Sequence, residues 1–220
     1  MIRNFVKSAF FAAAVIASGA LMSCGGSGDS VDKFVKEAID EAEANVAITD
    51  VPVFGAFTSI NEQRKAASAS LREKLKTLNL KEETKEERLK KREITKEAHD
   101  AVNAYFDKKI EDEVNKLDGS EVKVDFDSKQ ISAAKVTLIK NPHNNRQVRF
   151  AFDITLAKPL ANKNAILCWK FMDKDGKEID GSGAMVIKES GGEVTDSKVV
   201  VNGPTNMRAT TLDKLFLDFF

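Results

Sequence analysis

Ile110-Glu111-Asp112-Glu113-Val114-Asn115-Lys116-Leu117-Asp118-Gly119-Ser120-Glu121-Val122-Lys123-Val124-Asp125-Phe126 changes its hydrophobic period halfway along. Up to Leu117 the apolar residues recur at three and four positions, the repeat of one helix face. From Val122 they alternate with Lys123 and Asp125, the repeat of a strand with one side in water. Asp118-Gly119 lies between the two patterns, and glycine suits the left-handed residue that follows a helix. The chain therefore divides here into a helical part before Gly119 and a β part after it.

Working upstream, a long helical pattern runs from about Thr84 to Leu117 through Ala98, Val102, Tyr105, Phe106, Ile110 and Val114. At 1.5 Å per residue it would be ~50 Å long. Before it, Ser59-Ile60-Asn61-Glu62 reads as a capping box opening a helix with Ala67, Leu71, Leu75 and Leu78 inward. A first helix carries Val31, Phe34, Val35, Ala38, Ile39, Ala42 and Val46 on one face, with Ser30 as its cap. It stops before Val51-Pro52, because proline pushes the preceding residue out of helical geometry. A three-helix bundle or elongated hairpin follows from these lengths.

Lys81 to Glu97 holds thirteen charges in seventeen residues, seven positive and six negative. The signs cancel, so an anion-binding or membrane-surface patch gives way to a solvated helix projecting beyond the bundle. Glu86 with Lys90 and Glu87 with Lys91 are spaced for helical ion pairs worth ~0.3 kcal/mol each.

Downstream, Ile131 to Lys140 is rich in β-branched residues and closes at Asn141-Pro142-His143-Asn144-Asn145, a turn signal. Val148, Phe150, Phe152, Ile154 and Leu156 alternate without a break. Ala165–Met172, a return strand through Ala184 to Lys188, Lys198–Val201 and Leu215–Phe220 complete seven or so short strands. The expected fold is α+β, a helical bundle or hairpin at 31–119 followed by an antiparallel β-sandwich at 120–220. Alternation places Trp169 with Leu167 and Phe171 on the core side. Cys168 falls on the opposite, partly apolar face, which a helix is expected to cover.

Composition bounds the function. The 220 residues carry 34 Lys+Arg and 34 Asp+Glu, a net charge of zero that argues against nucleic-acid binding. Fourteen phenylalanines supply a core. Two cysteines and two histidines, far apart in sequence, make neither a disulfide framework nor a metal cluster.

The first twenty-two residues form a targeting pattern. Arg3 and Lys7 precede Ala9–Met22, an uncharged run of fourteen that is too short to span a bilayer. Leu21-Met22-Ser23-Cys24 then resembles the lipobox of bacterial lipoproteins, with Met22 departing mildly from the usual second position. The resemblance implies a signal peptide at 1–23, a diacylglyceryl thioether on Cys24, cleavage before that residue and acylation of the new amino terminus by a chain such as palmitate. The mature chain would hold 197 residues with a net charge of −2. Residues 24–30, with the Gly/Ser-rich Gly25-Gly26-Ser27-Gly28, would be its lipidated tether. The Ser-Cys-Gly-Gly junction resembles lipoproteins of Bacteroidota. With Asp29 alone after the cysteine, the outer membrane and its periplasmic face are the expected location.

A second resemblance lies in the β part. Phe171-Met172-Asp173-Lys174-Asp175-Gly176-Lys177 is similar to the strand and turn of FxLYD-type immunoglobulin-like bacterial domains, Met172 standing where the hallmark tyrosine would be. It implies architecture only, since fold analogy does not carry function.

Catalytic and metal motifs are scarce. Asp173, Asp175, Gly176, Glu178 and Asp180 invite a calcium reading, but setting Gly176 at loop position 6 puts Phe171 where an EF-hand needs a carboxylate. An Asp-Gly hairpin turn is the better account. Neither His99 nor His143 has a nucleophile at motif spacing, and no G-x-S-x-G or H-E-x-x-H occurs. Nothing local would lower the pKa of the Cys168 thiol. Phe219-Phe220 resembles the aromatic end of outer-membrane barrels, but the charged helical part and short strands do not fit one. The expectation is therefore a membrane-anchored, non-enzymatic binding or scaffolding module for a protein or glycan partner in the envelope, without cofactor or metal. The alternative is an accessory envelope hydrolase whose site is assembled only in three dimensions.

Overall fold

The computed structural model describes residues 27–48, 53–78, 82–161, 164–209 and 211–220. Cys24, the residue expected to carry a lipid, lies outside the described residues. Among these residues three helices come first, α1 (Ser27–Asn45), α2 (Gly55–Lys76) and α3 (Lys85–Leu117). Eight strands follow, β1 (Glu121–Phe126), β2 (Ile131–Asn141), β3 (Asn144–Leu156), β4 (Ile166–Met172), β5 (Glu178–Val186), β6 (Glu193–Val194), β7 (Lys198–Gly203) and β8 (Lys214–Phe219). The fold is α+β, and the break falls at Gly119, whose φ of 82° makes the turn out of α3. Among the described residues no helix is long and apolar enough to cross a membrane.

The helix faces follow the periodicity, whereas two of the three starts do not. Val31, Val35, Ala38, Ile39 and Ala42 of α1 are buried, as are Ala67, Leu71 and Leu75 of α2 and Ala98, Val102, Phe106, Ile110 and Val114 of α3. Helix α1 already begins at Ser27, so Ser30 lies inside it and is not its cap. Asp32 near this end favours the helix through its dipole. Helix α2 starts at Gly55, a full turn before the Ser59 box, because Phe54, Phe57 and Ile60 gain burial in the core. Ser59 consequently sits inside the helix, and its hydroxyl donates back to the Gly55 carbonyl at 3.5 Å. A capping box does exist at α3: Thr84 Oγ1 accepts from the Glu87 amide, and the Glu87 carboxylate accepts from the Thr84 amide. Two helical ion pairs were expected nearby, yet Lys91 reaches Glu82 across the turn before α3.

The strands form one eight-stranded sheet in the order β5-β4-β8-β1-β2-β3-β7-β6. Its pairing is antiparallel except between β1 and β8, which run parallel with Val124 opposite Leu215 and Phe126 opposite Leu217. The all-antiparallel expectation is corrected there: the last strand enters between β4 and β1 instead of extending an edge. Strand β1 is the hinge of the sheet, pairing with β2 through Glu121 and Val122 and with β8 from Lys123 onward. The sheet curls at this point. Strands β3 and β4 have three strands between them in the order, yet Phe150 meets Phe171 edge-on at 5.8 Å and Phe152 meets Trp169 at 5.5 Å. Their rings fill the concave interior, together with Leu138, Ile154, Leu167, Leu215 and Leu217.

Strand β5 begins earlier than the sequence pattern suggested. Gly181 and Gly183 are required by the rings above them: a Cβ on Gly183 would lie 2.4 Å from the Trp169 ring, and one on Gly181 2.6 Å from Phe171. Register shifts between Trp169 and Phe171, where the Ser182 hydroxyl accepts the Phe171 amide. This bulge and the charges of Glu178 and Asp180 blunt one sheet edge, while the other edge, β6, has only two residues.

The helices sit on the β2–β3 side. Helix α3 packs against β3 and β2, and its end is fastened by Gly119 N donating to Leu138 O at 2.8 Å and Leu138 N to Ser120 O at 2.8 Å. The helix expected over the Cys168 face of β4 is found here instead.

Candidate functional site

The joint between helices and sheet holds the densest side-chain network. Gln63 and Ser59 occupy the inward stripe of α2, one turn apart and in line with Ala67, and are buried. A buried amide must find partners. Gln63 Nε2 donates to the Val46 carbonyl at the end of α1 at 2.6 Å, and its Oε1 accepts from Lys109 Nζ of α3 at 2.9 Å. Lys109 also donates to Glu43 of α1 at 2.7 Å, and the Tyr105 hydroxyl donates to the same Glu43 oxygen at 2.7 Å. The Lys109 ammonium lies 5.8 Å from the Tyr105 ring centre and 5.7 Å from that of Phe106, within cation–π range. Burial, then the hydrogen bond to Glu43, push the Tyr105 hydroxyl above its ordinary range, so it stays protonated as a donor.

Between Tyr105 and Lys109 on α3, Asp107 divides its carboxylate between two guanidiniums. Arg64 of α2 donates to Oδ1 at 2.5 Å, and Arg146 of the β2–β3 hairpin donates to Oδ2 at 2.5 Å. The Arg64 Nε is buried without a hydrogen-bond partner, which leaves that side chain dependent on Asp107. Lys140 completes the joint: its amide donates to Asp118 at 2.7 Å and its ammonium to Asn115 at 2.8 Å.

Beside these bonds runs a wide, open groove with a cavity volume of about 620 Å³. Ala104, Asp107, Lys108, Glu111, Asp112 and Asn115 of α3 form one wall, and Asn145 and Arg146 of the hairpin form the other. All of its lining side chains but Ala104 are polar or charged, and two of the charged ones, Asp107 and Arg146, are bonded to each other. It can take hydrogen-bonding groups of a ligand along its length. Its lining residues include no serine, threonine, cysteine, tyrosine or histidine.

The residues singled out from the sequence lie elsewhere. His99 is half-buried on α3, and His143 is exposed at the hairpin turn. Asp173 serves its own turn: Oδ1 accepts from the amides of Asp175 and Lys177, each at 2.9 Å, and Gly176 takes a φ of 74°. Among the described residues no three potential ligands gather to hold a metal. Trp169, Leu167 and Phe171 are buried on the core side as the alternation requires. Cys168 on the other face is a half-buried free thiol, its pKa raised by burial and then by the Asp218 carboxylate. Such a thiol is a poor nucleophile.

Sequence reading missed Glu43, Gln63, Arg64, Tyr105, Asp107, Lys109 and Arg146. One local signal pointed to them: polar Ser59 and Gln63 at inward positions of an otherwise apolar stripe. Their partners lie 17 to 46 residues away from Gln63, out of reach of any periodicity. No family model, curated protein or solved structure matches this chain.

Proposed function

We propose that the protein is a cell-envelope lipoprotein, anchored through acyl chains on Cys24 and acting as a non-enzymatic binding or scaffolding module at the periplasmic face of the outer membrane. The lipobox supports the anchor, and the groove between α3 and the β2–β3 hairpin supports the binding role. The carrying observation is the state of the charges in that groove. Asp107 is committed to Arg64 and Arg146, so it holds helices and hairpin together rather than standing free to exchange protons with a substrate. An open, polar trough fits an extended protein segment or a glycan better than a small reactant, which needs enclosure to exclude water. The immunoglobulin-like sandwich is part of this proposal. Aromatic contact between β3 and β4 supports two facing layers, while the single sheet and the parallel β1–β8 pair set it apart from a standard two-sheet sandwich.

Two experiments test the reading. Intact mass of the chain purified from native membranes should show a lipid-modified Cys24 at its start, and Met1 retained in the mature protein would sink the anchor. Photo-crosslinkers placed at Glu111 and Asn145 should trap one discrete partner in native membranes, whereas one at Lys188 should not. Identical patterns from all three positions would remove the groove from consideration.

A further inference from the structure

The charge run whose signs cancel in sequence separates by face in space. At 100° per residue, Lys85, Arg88, Leu89, Arg92 and Lys96 fall within roughly 100° of arc on α3. All five are exposed, and Leu89 at their centre is 47% exposed, among the largest apolar exposures described. The acids of the same stretch lie off this ridge. Glu86, Glu93 and Glu97 run down one flank, and Glu87 is turned into the capping box. Among the described residues Lys85, Arg92 and Lys96 form no ion pair, while Arg88 gives its Nε to the Thr84 carbonyl. The ridge is thus a cationic strip ~17 Å long with an apolar side chain in its middle.

Its height in the bundle is set by the polar network. Helices α1 and α3 run parallel, because α2 is antiparallel to both: Gln63 meets Val46 and Lys74 meets Glu37 along α1, while Gln63 meets Lys109 and Arg64 meets Asp107 along α3. Glu43 marks the level of Tyr105 and Lys109. Counting back ~16 residues on each helix sets Ser27, the first residue of α1, level with Leu89 to Glu93. Cys24 is only three residues before Ser27, so an anchor there holds the ridge at the membrane surface. We infer that the Lys85–Lys96 ridge of α3 is a second membrane contact, docking on the phosphates of anionic lipid headgroups while the acyl anchor holds the pole in place. This rests on the lipoprotein reading for its location, though not for its chemistry. Four cations and an exposed leucine are the makeup of an interfacial helix face, and one anchor plus a basic patch binds more firmly than either alone. The bundle would then stand its α1 end on the bilayer and carry the β part away from it.

The test uses the full mature chain on vesicles of phosphatidylglycerol and phosphatidylethanolamine, against vesicles of phosphatidylcholine alone. Lys85 and Lys96 are acylated with a water-soluble amine reagent, and each modification is read by peptide mass spectrometry, with Lys188 of the β part as reference. Labelling of Lys85 and Lys96 should fall at least threefold on the anionic vesicles relative to the neutral ones, and 0.5 M salt should restore it. Arg88→Gln with Arg92→Gln should remove that protection, at ~fivefold weaker headgroup binding per charge. Equal labelling on both vesicle types would overturn the inference. So would protection that appears only with an added acidic polypeptide or nucleic acid. The anchor is scored separately by the mass at Cys24: an unlipidated chain mixed with excess anionic vesicles still reports on the ridge.

Discussion

Asp107 of α3 and Arg146 of the β2–β3 hairpin meet at 2.5 Å across the joint between helices and sheet, thirty-nine positions apart in sequence. The contact has a helical counterpart in Arg64, so a single carboxylate ties three elements together. Exposed ion pairs contribute little because water screens them, and the Arg146 side chain is 48% exposed. Arg64 is better covered, its side chain 25% exposed and its Nε buried without a hydrogen-bond partner, so losing the Asp107 charge would leave it poorly paired. Asp107→Asn should therefore cost about 1–2 kcal/mol, and Arg146→Ala less than ~1 kcal/mol. Urea unfolding of both variants checks this, and equal costs would show that Arg64 takes no stability from the pair.

Gly183 separates a space requirement from a backbone requirement. Its missing Cβ makes room for the indole of Trp169, the only tryptophan in the chain, so displacement of that ring is directly visible in fluorescence. Gly183→Ala should move the emission maximum to the red and destabilise by ~1–3 kcal/mol, the usual range for overpacking. Gly176 has open space around its absent Cβ but a φ of 74°. Gly176→Ala should cost ~1 kcal/mol through backbone conformation alone and leave the emission unchanged. A red shift in the Gly176 variant, or none in the Gly183 variant, would contradict this division.

Cys168 should behave as one slow free thiol. Burial raises its pKa first and Asp218 adds to it, so the native chain reacts with a disulfide reagent more slowly than the unfolded chain at the same pH. Asp218→Asn should speed the reaction only in part, because burial remains. The sign for stability follows: a folded pKa above the unfolded value means the unfolded thiol ionises first. This contribution is constant below the ordinary thiol range and falls as pH rises through it. Finding Cys168 unreactive in the denatured chain would point to a disulfide or another modification.

The fold was legible wherever local period decided it. Val148 to Leu156 and Ala98 to Val114 show their buried faces in the sequence because burial on one side leaves a repeat of 2 or 3.6. Starts and pairings were less legible. Phe54 and Phe57 drew α2 back by a turn through contacts that no cap signal records. The partner of β8 depends on where a non-local strand is inserted, and parallel β1–β8 pairing leaves no mark in either strand. At the joint, Arg146 lies at the start of β3, just after a turn rich in Asn, and only the packing of that hairpin on α3 brings it to Asp107. The basic ridge was hidden for a different reason. Summing charges along the chain discards the angle at which each one points, and on a helix that angle decides the surface.

The last strand gives the sharpest test of the sheet order. Leu215 and Leu217 are fully buried and Phe219 nearly so, and β8 lies between β4 and β1, not at an edge. Asp127 N donates to the Leu217 carbonyl at 3.1 Å, so β8 also supports the turn after β1. Deleting Leu215 to Phe220 would split the sheet into β5-β4 on one side and β1-β2-β3-β7-β6 on the other, opening the interior between them. The deletion should abolish the cooperative unfolding transition of the β part while leaving most helical signal in place. A graded version separates burial from chain length. Leu217→Ala should cost ~2–5 kcal/mol, as for other large-to-small core changes. Phe220 is 76% exposed, and its contribution lies in the backbone, where its amide donates to Ile166 at 3.0 Å and its carbonyl accepts from Ile166 at 2.8 Å. Phe220→Ser keeps both bonds and should shift stability by less than ~0.5 kcal/mol. A truncated chain melting within a few degrees of the full one would show that β8 is dispensable and that this strand order is wrong.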